Sequence, residues 1–347
     1  MKKRKLLYIH IPFCDSKCNY CAFNSYTNLN HLKKEYFDAI KKQFLFENDT
    51  KDYYTVFIGG GTPSTMSVTF YEKLFSLLSP YIKKVKEITI ECNPNTSKEW
   101  LKEIKNFGVN RISFGVQSFN ENKLKFLNRN HSPKQAIEAI ISAKEAGFEN
   151  INLDLIYSTA IDTEELLNND LKTAFSLPIN HISAYSLTIE KNTKWENDYT
   201  KRQENEELEI NFINKIKEKF LQYEISNFGN QCLHNLGYWE GLEYTGIGAG
   251  AVGFKKNYRY YTQTDVNEYI KNPIKYTYEK LSPQDLKKEK VFLGLRSILG
   301  FEKNILNENE KERAEILINE KKLYEKEGKI YSFDFLLADA LSAYILE

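Results

Sequence analysis

The sequence predicts an α/β protein that consists of a partial (β/α)6 barrel of the TIM type and a smaller, mainly helical C-terminal domain. Short runs rich in Ile, Val, Tyr and Phe alternate with longer amphipathic segments, which is typical of βα units that build a parallel sheet. Six such units are visible, fewer than the eight of a closed (β/α)8 barrel, so we expect an open barrel. The predicted strands are residues 6–13, 56–58, 87–91, 111–116, 151–156 and 181–187.

The segments between these strands carry apolar residues at helical spacing. Thr96 with Glu99 is typical of a capping box, and Gly108 and Gly147 stand where two helices should stop. A charged helix at about 204–220 closes the series. The other predicted helices are residues 34–46, 69–81, 97–107, 133–146 and 163–175.

The pattern of the chain changes after about residue 228. Residues 229–262 are rich in Gly and Tyr, and residues 281–347 show mostly helical spacing. A chain of 347 residues also exceeds one ordinary domain. We therefore predict a barrel domain over residues 1–228 and a C-terminal domain over residues 229–347.

The composition is that of a globular protein without a strong electrostatic field. Hydrophobic residues make up 41% and charged residues 27% of the chain, and 48 Lys and Arg balance 47 Asp and Glu. This balance gives no reason to expect a nucleic-acid partner or permanent membrane attachment. The apolar run over residues 6–13 is too short to span a bilayer, and no cleavage-site pattern follows it. We expect a cytoplasmic protein with at most peripheral membrane contact.

Three of the five cysteines stand close together, at Cys14, Cys18 and Cys21. This C-x3-C-x2-C spacing directly after a predicted strand does not describe a disulfide framework and points to a metal. Three thiolates on one loop would bind three irons of a [4Fe–4S] cube and leave the fourth iron open to a chelating ligand. A zinc site with His10 as fourth ligand is the main alternative, although its spacing fits no common zinc module, and a chance grouping is a further one.

The same segment has an aromatic residue, Tyr20, directly before the third cysteine. The pattern C-x3-C-x-aromatic-C resembles the signature of the radical S-adenosylmethionine (SAM) superfamily. In that family the open iron binds the amino and carboxyl groups of SAM. The resemblance implies a [4Fe–4S] cluster on Cys14, Cys18 and Cys21, SAM as a second cofactor, and Tyr20 near the adenine. The alternative for Tyr20 is a plain core residue.

Polar residues recur at the carboxyl ends of the predicted strands, which meet at one mouth of a barrel. A Gly-rich turn, residues 59–63, follows the second strand, and Glu91 and Gln117 end the third and fourth. Asp154 lies in an apolar strand, where it needs a partner, and Arg129 is the expected one. Each residue could make only a local hydrogen bond, but their order on successive strands favours a ligand site.

Several stretches together resemble one radical SAM subgroup. They are YIHIPFC (8–14), GGGTP (59–63), Glu91, RISFGVQSF (111–119), NR (128–129), DLIY (154–157) and HISAYSL (181–187). The chain is similar to the oxygen-independent coproporphyrinogen III oxidases and their relatives, from about residue 6 to the C-terminus. This resemblance implies SAM contacts by Tyr8, Gly60, Gly61, Thr62, Glu91, Gln117, Arg129 and Asp154.

The subgroup contains two kinds of protein. The true dehydrogenase, which decarboxylates coproporphyrinogen III, has an extra N-terminal segment and a fourth cysteine two places after the third. In this sequence that place is Phe23, and only seven residues precede Tyr8. Both features resemble the other kind, the haem chaperone branch, which binds haem and delivers it to respiratory haemoproteins.

A further motif, His234-Asn-Leu-Gly-Tyr238-Trp239, matches the H-N-x-x-Y-W pattern that is associated with haem binding in that branch. A neutral imidazole is a good iron ligand, and Tyr and Trp rings can stack on a porphyrin face. We therefore predict haem contacts by His234, Tyr238 and Trp239; the alternative is a buried His in an aromatic cluster. Cys232 could supply a second thiolate, but such a residue is more often small and buried, as we expect for Cys92.

Two stretches depart from the family pattern. Where the family has D-L-I-Y-G-L-P, this chain has Ser158, Thr159 and Ala160 in the last three places. The change alters the turn but keeps Asp154. The later G-I-G-A-G-A-H-G has Val252 in place of a His that is a potential ligand.

The sequence thus predicts a haem chaperone that binds haem and transfers it to apo-haemoproteins of respiratory chains while it carries a SAM-bound [4Fe–4S] cluster. SAM cleavage stays open, and we expect no conversion of coproporphyrinogen III. The alternative function is a coproporphyrinogen III dehydrogenase or another radical SAM enzyme of porphyrin metabolism, and a weaker one is a purely structural cluster protein. We expect no nucleic-acid partner, and a homodimer is compatible with the sequence.

Overall fold

Six parallel strands lie side by side in the order in which they follow along the chain. The structure is a computed structural model that describes residues 4–50 and 52–347. Each strand pairs in parallel with the next, and helices make the connections, as expected for βα units in series. The strands are β1 (Leu6–Ile11), β2 (Thr55–Gly60), β3 (Glu87–Cys92), β4 (Arg111–Gln117), β5 (Asn150–Tyr157) and β6 (His181–Ser186).

All six predicted helices form, with bounds within a few residues of those expected. A short helix was not predicted, because its six residues give too little periodicity. The helices of this part are α1 (Lys33–Glu47), α2 (Val68–Leu78), α3 (Lys98–Asn106), α4 (Glu121–Phe126), α5 (Pro133–Glu145), α6 (Glu164–Ser176) and α7 (Glu206–Lys217).

The ends of α3 and α5 were predicted in part. Gly108 and Gly147 follow these helices with φ of +97° and +91°, so their expected stops are confirmed. The capping box predicted at Thr96 was wrong, because Ser97 is the residue that caps the helix. Ser97 Oγ accepts from the Trp100 amide at 3.2 Å, whereas the Thr96 hydroxyl donates to the Asn93 carbonyl at 2.6 Å.

The sheet continues beyond both sides of the six strands. β7 (Asn227–Gly229) pairs antiparallel with β6, and β8 (Tyr244–Ile247) pairs in parallel with β1. β9 (Val252–Lys255), β10 (Tyr258–Thr262) and β11 (Tyr276–Lys280) extend it further with antiparallel pairing. The order is β11-β10-β9-β8-β1-β2-β3-β4-β5-β6-β7, and the sheet is open among the described residues. The predicted α/β class with an open partial barrel is confirmed.

Close packing explains why glycine stands beside tyrosine in the Gly- and Tyr-rich segment. Gly253 of β9 pairs with Tyr260 of β10, and a Cβ at Gly253 would lie 2.0 Å from Tyr260 Cζ. A side chain at this glycine would therefore collide with the ring. Two short helices belong to the same part of the chain, α8 (Leu233–Trp239) and α9 (Val266–Lys271).

The C-terminal part has its own small core. Its side chains include Val291, Leu317 and Ile345, whereas Ile247 and Tyr269 still pack in the core of the large sheet. The division near residue 228 stays a prediction, because strands from both sides of it share one sheet. The elements of the C-terminal part are α10 (Pro283–Leu295), β12 (Phe301–Glu302), α11 (Glu308–Asn319), β13 (Leu323–Lys326), β14 (Lys329–Ser332) and α12 (Ala338–Leu346).

Within residues 4–50 and 52–347, every helix is too short or too polar to cross a membrane.

Candidate functional site

The three clustered cysteines lie on the loop that follows β1. The Cys14 amide donates to the Tyr26 carbonyl at 3.0 Å, and the Tyr26 amide donates to the Pro12 carbonyl at 2.7 Å, so the two ends of the loop are tied together. The Cys21 amide donates to the Cys18 carbonyl at 3.3 Å and closes a turn. Backbone hydrogen bonds thus hold the three thiols on one short, preformed loop.

Two of the thiols receive hydrogen bonds from outside the loop. Thr62 Oγ1 donates to Cys14 Sγ at 3.3 Å, and Arg129 Nη1 donates to Cys18 Sγ at 3.2 Å. Hydrogen bonds to sulfur from a cation and from a hydroxyl favour the thiolate form. Burial raises the pKa of the Cys14 thiol, so a bound metal would be needed to keep it deprotonated.

This donor set fits a [4Fe–4S] cube, in which each thiolate takes its own iron. Among the described residues, no three His, Cys, Asp or Glu side chains converge on one metal ion. The zinc alternative also lacks its fourth ligand, because the two His10 nitrogens are engaged, Nδ1 with the Tyr8 hydroxyl at 2.9 Å and Nε2 with the Asn24 carbonyl at 2.8 Å.

The Gly-rich turn after β2 packs directly on the cysteine loop. A Cβ at Gly61 would lie 3.0 Å from Cys14 Sγ and 2.9 Å from the Phe13 carbonyl oxygen. Gly60 has a φ of +116°, and its amide donates to Glu91 Oε2 at 3.0 Å. Only glycines allow this approach, which brings Gly60, Gly61 and Thr62 beside the cysteines.

The polar residues at the carboxyl ends of the strands lie at the same end of the sheet as the cysteine loop. Gln117 has a φ of +71°, and its Oε1 is buried without a hydrogen-bond partner in the described part of the chain, as is Nε of Arg129. Buried polar atoms are rarely left unpaired, so these two suit a polar ligand. Burial, followed by the charge of Asp154, raises the pKa of Glu91 to about 8.

The direct ion pair expected between Asp154 and Arg129 was wrong, because these two described residues bond to other partners. Asp154 Oδ1 accepts from Asn152 Nδ2 at 2.7 Å, whereas Arg129 Nη2 donates to Asn93 Oδ1 and to the Gly115 carbonyl, both at 2.6 Å. Burial raises the pKa of Asp154, and Arg129 counteracts this only through space.

The two predicted aromatic contacts of SAM, Tyr20 and Tyr8, have different neighbours. Tyr20 packs near Trp195, with 6.5 Å between ring centroids, and lies beside Cys18 and Arg129. Tyr8 lies in β1 with its hydroxyl on His10. The contacts predicted for both residues stay predictions.

The H-N-x-x-Y-W motif forms α8, which packs against β2. His234 is 0% exposed. Its Nδ1 lies 2.8 Å from Thr55 Oγ1 and its Nε2 lies 2.9 Å from the Tyr238 hydroxyl. Burial lowers the pKa of His234 to about 3, so its ring is neutral. Both ring nitrogens are thus engaged, while Tyr238 and Trp239 are half-buried.

Glu87 anchors the start of α8. Its carboxylate accepts from the amides of Leu233 at 2.9 Å and His234 at 3.0 Å, and from Cys232 Sγ at 3.4 Å. Burial raises the pKa of Cys232 to about 12, which suits a small buried residue rather than a thiolate ligand. Cys92 is also buried, as expected.

Sequence reasoning missed a cavity of about 470 Å³ between the cysteine loop and strands β8 to β10. Its walls come from β1, the cysteine loop, α8 and the following turn, β8, β9, β10 and α10, and no single motif marks it. The lining residues are Tyr8, His10, Ala22, Phe23, Asn24, Tyr238, Gly241, Leu242, Tyr244, Gly250, Val252, Phe254, Arg259, Glu289 and Leu293.

Comparisons with known proteins agree with this architecture. The model of the radical SAM superfamily matches residues 8–169. The heme chaperone HemW of Bacillus subtilis (strain 168) is 36% identical over 323 residues, which cover 86% of this chain and 85% of the relative. HemW of Lactococcus lactis subsp. lactis (strain IL1403) is 33% identical over 359 residues, or 96% of this chain and 94% of the relative. This chain belongs to the family of the heme chaperone HemW. The predicted family is confirmed.

The fold of this HemW-family chain is also that of a solved structure. Coproporphyrinogen III oxidase (HemN) from Escherichia coli, a radical SAM enzyme, superposes with a TM-score of 0.83 over 99% of this chain and 90% of its own. The sequence identity is 19%, so the likeness shows a shared fold.

Phe23 occupies a distinctive position in this HemW-family chain. It stands two places after Cys21, where the dehydrogenases resembled by the sequence have their fourth cysteine. Its side chain is 69% exposed and lines the cavity together with Val252. An aromatic ring thus stands here in place of a thiol, at the border between the cysteine loop and the cavity.

Proposed function

We propose that this chain is a haem chaperone, which binds haem and passes it to apo-haemoproteins of respiratory chains. The observation that carries the proposal is the identity of 36% to the B. subtilis heme chaperone HemW over 85% of that protein. The cavity beside the cysteine loop supports it, because most of its walls are apolar and suit a porphyrin.

In this proposal, Cys14, Cys18 and Cys21 hold a [4Fe–4S] cluster, and SAM lies at the barrel mouth. When bound, the cluster supplies an open iron for SAM and a site for one-electron chemistry. The chain's own part is to bind and orient SAM. Glu91 would accept hydrogen bonds from the ribose hydroxyls, and the unpaired polar atoms of Gln117 and Arg129 would bind other polar groups of SAM. The remaining SAM contacts are Tyr8, Tyr20, Gly60, Gly61, Thr62 and Asp154.

The main rival is an enzyme that decarboxylates coproporphyrinogen III. The fold that the chain shares with HemN is compatible with this alternative. Phe23 argues against the dehydrogenase, because this chain has no thiol at the position where the dehydrogenases have one. We therefore expect the chain to bind the iron porphyrin without converting the porphyrinogen. A cytoplasmic location with at most peripheral membrane contact is part of the proposal, and a homodimer is compatible with it.

One preparation separates the two functions. The protein is purified without oxygen, its cluster is reconstituted, and the sample is divided between a haem titration followed by absorbance and a product assay with coproporphyrinogen III, SAM and a reductant. We expect saturable haem binding and no decarboxylated product. Protoporphyrinogen formed over many turnovers would show that the enzyme is the correct function, and a titration without saturation would remove the chaperone.

A further inference from the structure

We infer that ferric haem enters the cavity beside α8 and that the Tyr238 phenolate, rather than the His234 imidazole, binds its iron. The inference rests on the proposed function, since haem is taken as the cargo. His234 itself is enclosed with both nitrogens engaged, whereas Tyr238 lines the cavity.

The cavity matches the chemistry of haem. Its volume of about 470 Å³ lies in the range of small-molecule sites. Phe23, Leu242 and Phe254 are among its apolar walls and would face the porphyrin plane. Among the residues that line the cavity, Arg259 carries the cationic side chain. Its Nη2 pairs with Glu289 Oε1 at 2.7 Å. A haem propionate could take the place of Glu289 on this guanidinium.

Two tyrosines that line the cavity, Tyr8 and Tyr238, are each paired with a histidine, and the two pairs differ in one respect. In the first pair the Tyr8 hydroxyl lies 2.9 Å from His10 Nδ1, and His10 Nε2 lies 2.8 Å from the Asn24 carbonyl. A carbonyl only accepts, so the neutral His10 ring carries its proton on Nε2. Its Nδ1 must then accept from the Tyr8 hydroxyl, and a Tyr8 phenolate would face a lone pair.

The second pair has no such restriction. The Tyr238 hydroxyl lies 2.9 Å from His234 Nε2, and His234 Nδ1 lies 2.8 Å from Thr55 Oγ1. A hydroxyl can both donate and accept, so the neutral His234 ring can carry its proton on either nitrogen. With the proton on Nε2, His234 donates to a Tyr238 phenolate while Thr55 donates to Nδ1. Phenolate oxygen is a known haem iron ligand.

The ligand exchange balances. Ferric haem arrives with a hydroxide on iron. The iron–hydroxide bond breaks, the hydroxide takes one proton from the Tyr238–His234 pair and leaves as water, and the phenolate oxygen forms the new bond. The proton that the pair keeps ends on His234 Nε2. The iron stays ferric throughout, so no reductant or oxidant is needed.

Tyr244 provides a matched control. It lines the same cavity, and its ring meets that of Tyr238 edge-on with 4.8 Å between centroids. Its hydroxyl bonds to Arg259, whose charge is shared with Glu289. Tyr244→Phe removes a hydroxyl from the same cavity without touching the Tyr238–His234 pair.

The test is a ferric haem titration of the full-length protein, read by absorbance and by resonance Raman. We expect phenolate modes and a phenolate-to-iron charge-transfer band in the native protein. Tyr238→Phe should lose both and bind ferric haem about tenfold more weakly or worse, whereas Tyr244→Phe should keep both. Burial, together with the facing Tyr8, Tyr244 and Cys232, raises the pKa of Tyr238, so the phenolate depends on the iron and on the Nε2–H donor. His234→Ala should keep the band but shift its onset to higher pH, because the phenolate loses that donor.

Several outcomes would overturn the inference. These are a native haem complex without phenolate modes, a band that survives in Tyr238→Phe, and a band lost in Tyr244→Phe alone. The Raman spectrum of the native protein decides even where a variant fails to fold. A native protein that binds no ferric haem contradicts the proposed function itself, so the two failures are distinguishable.

Discussion

Replacement of Cys14, Cys18 or Cys21 by Ala is expected to remove nearly all bound iron and sulfide from the anaerobically purified protein. The native chain should contain about four irons and four sulfides, as a [4Fe–4S] cube requires. Each thiolate holds its own iron, so the loss of one leaves two protein ligands on a cube that needs three. Metal analysis, sulfide analysis and the visible absorption of the cluster measure the effect.

The chain offers two kinds of control for this experiment. Cys92→Ala changes a thiol that is buried outside the loop and should leave iron and sulfide unchanged. Gln117→Ala and Asp154→Ala should also keep the cluster but bind SAM more weakly, because neither side chain is an iron ligand. Bound zinc without sulfide in the native protein would contradict the assignment of the cluster. Loss of iron from both strand-end variants would show that these residues are structural.

The second large effect is on stability. Glu87→Ala should lower the free energy of unfolding by about 3–5 kcal/mol, the usual cost of removing one partner from a buried charged network. Glu87 is 3% exposed and Arg111, whose charge it faces, is 2% exposed. The substitution also leaves the amides of Leu233 and His234 without their acceptor, so the start of α8 loses its anchor.

Urea unfolding of the cluster-free protein, followed by circular dichroism, measures this difference. Glu87→Gln keeps an oxygen acceptor and should lose less stability than Glu87→Ala. Glu138→Ala is the surface control, because this side chain is 59% exposed in an i,i+4 pair with Lys134, and a change within about 0.5 kcal/mol is expected. A Glu87→Ala variant as stable as Glu138→Ala would mean that the buried network contributes nothing to folding.

The elements that the sequence predicts correctly are those with a local signal. The strands β1 to β6 are buried apolar runs, and the helices between them carry a clear period, so their number and order follow from residue spacing. The cysteine loop and the Gly-rich turn are equally local. Their approach, with Gly61 against Cys14 Sγ, follows because parallel strands place their carboxyl ends together.

The features that escaped prediction depend on distant partners. The strands β7 to β11 are three to five residues long, and their pairing is decided by which edge of the sheet lies free. The enclosure of His234 depends on Thr55 and Glu87, which lie far away in sequence. The cavity combines residues from segments that only the fold brings together, so no motif could reveal it.

The most direct test of the proposed chaperone is haem transfer. The protein is loaded with haem, freed of excess haem, and mixed with an apo-haemoprotein while the absorbance of the acceptor is followed. A parallel mixture contains a scavenger that captures any haem released into solution. We predict that the acceptor fills at the same rate with and without the scavenger, because the haem passes directly between the two proteins. A scavenger that abolishes the transfer would show that haem only dissociates, and would contradict the role of this chain as a chaperone.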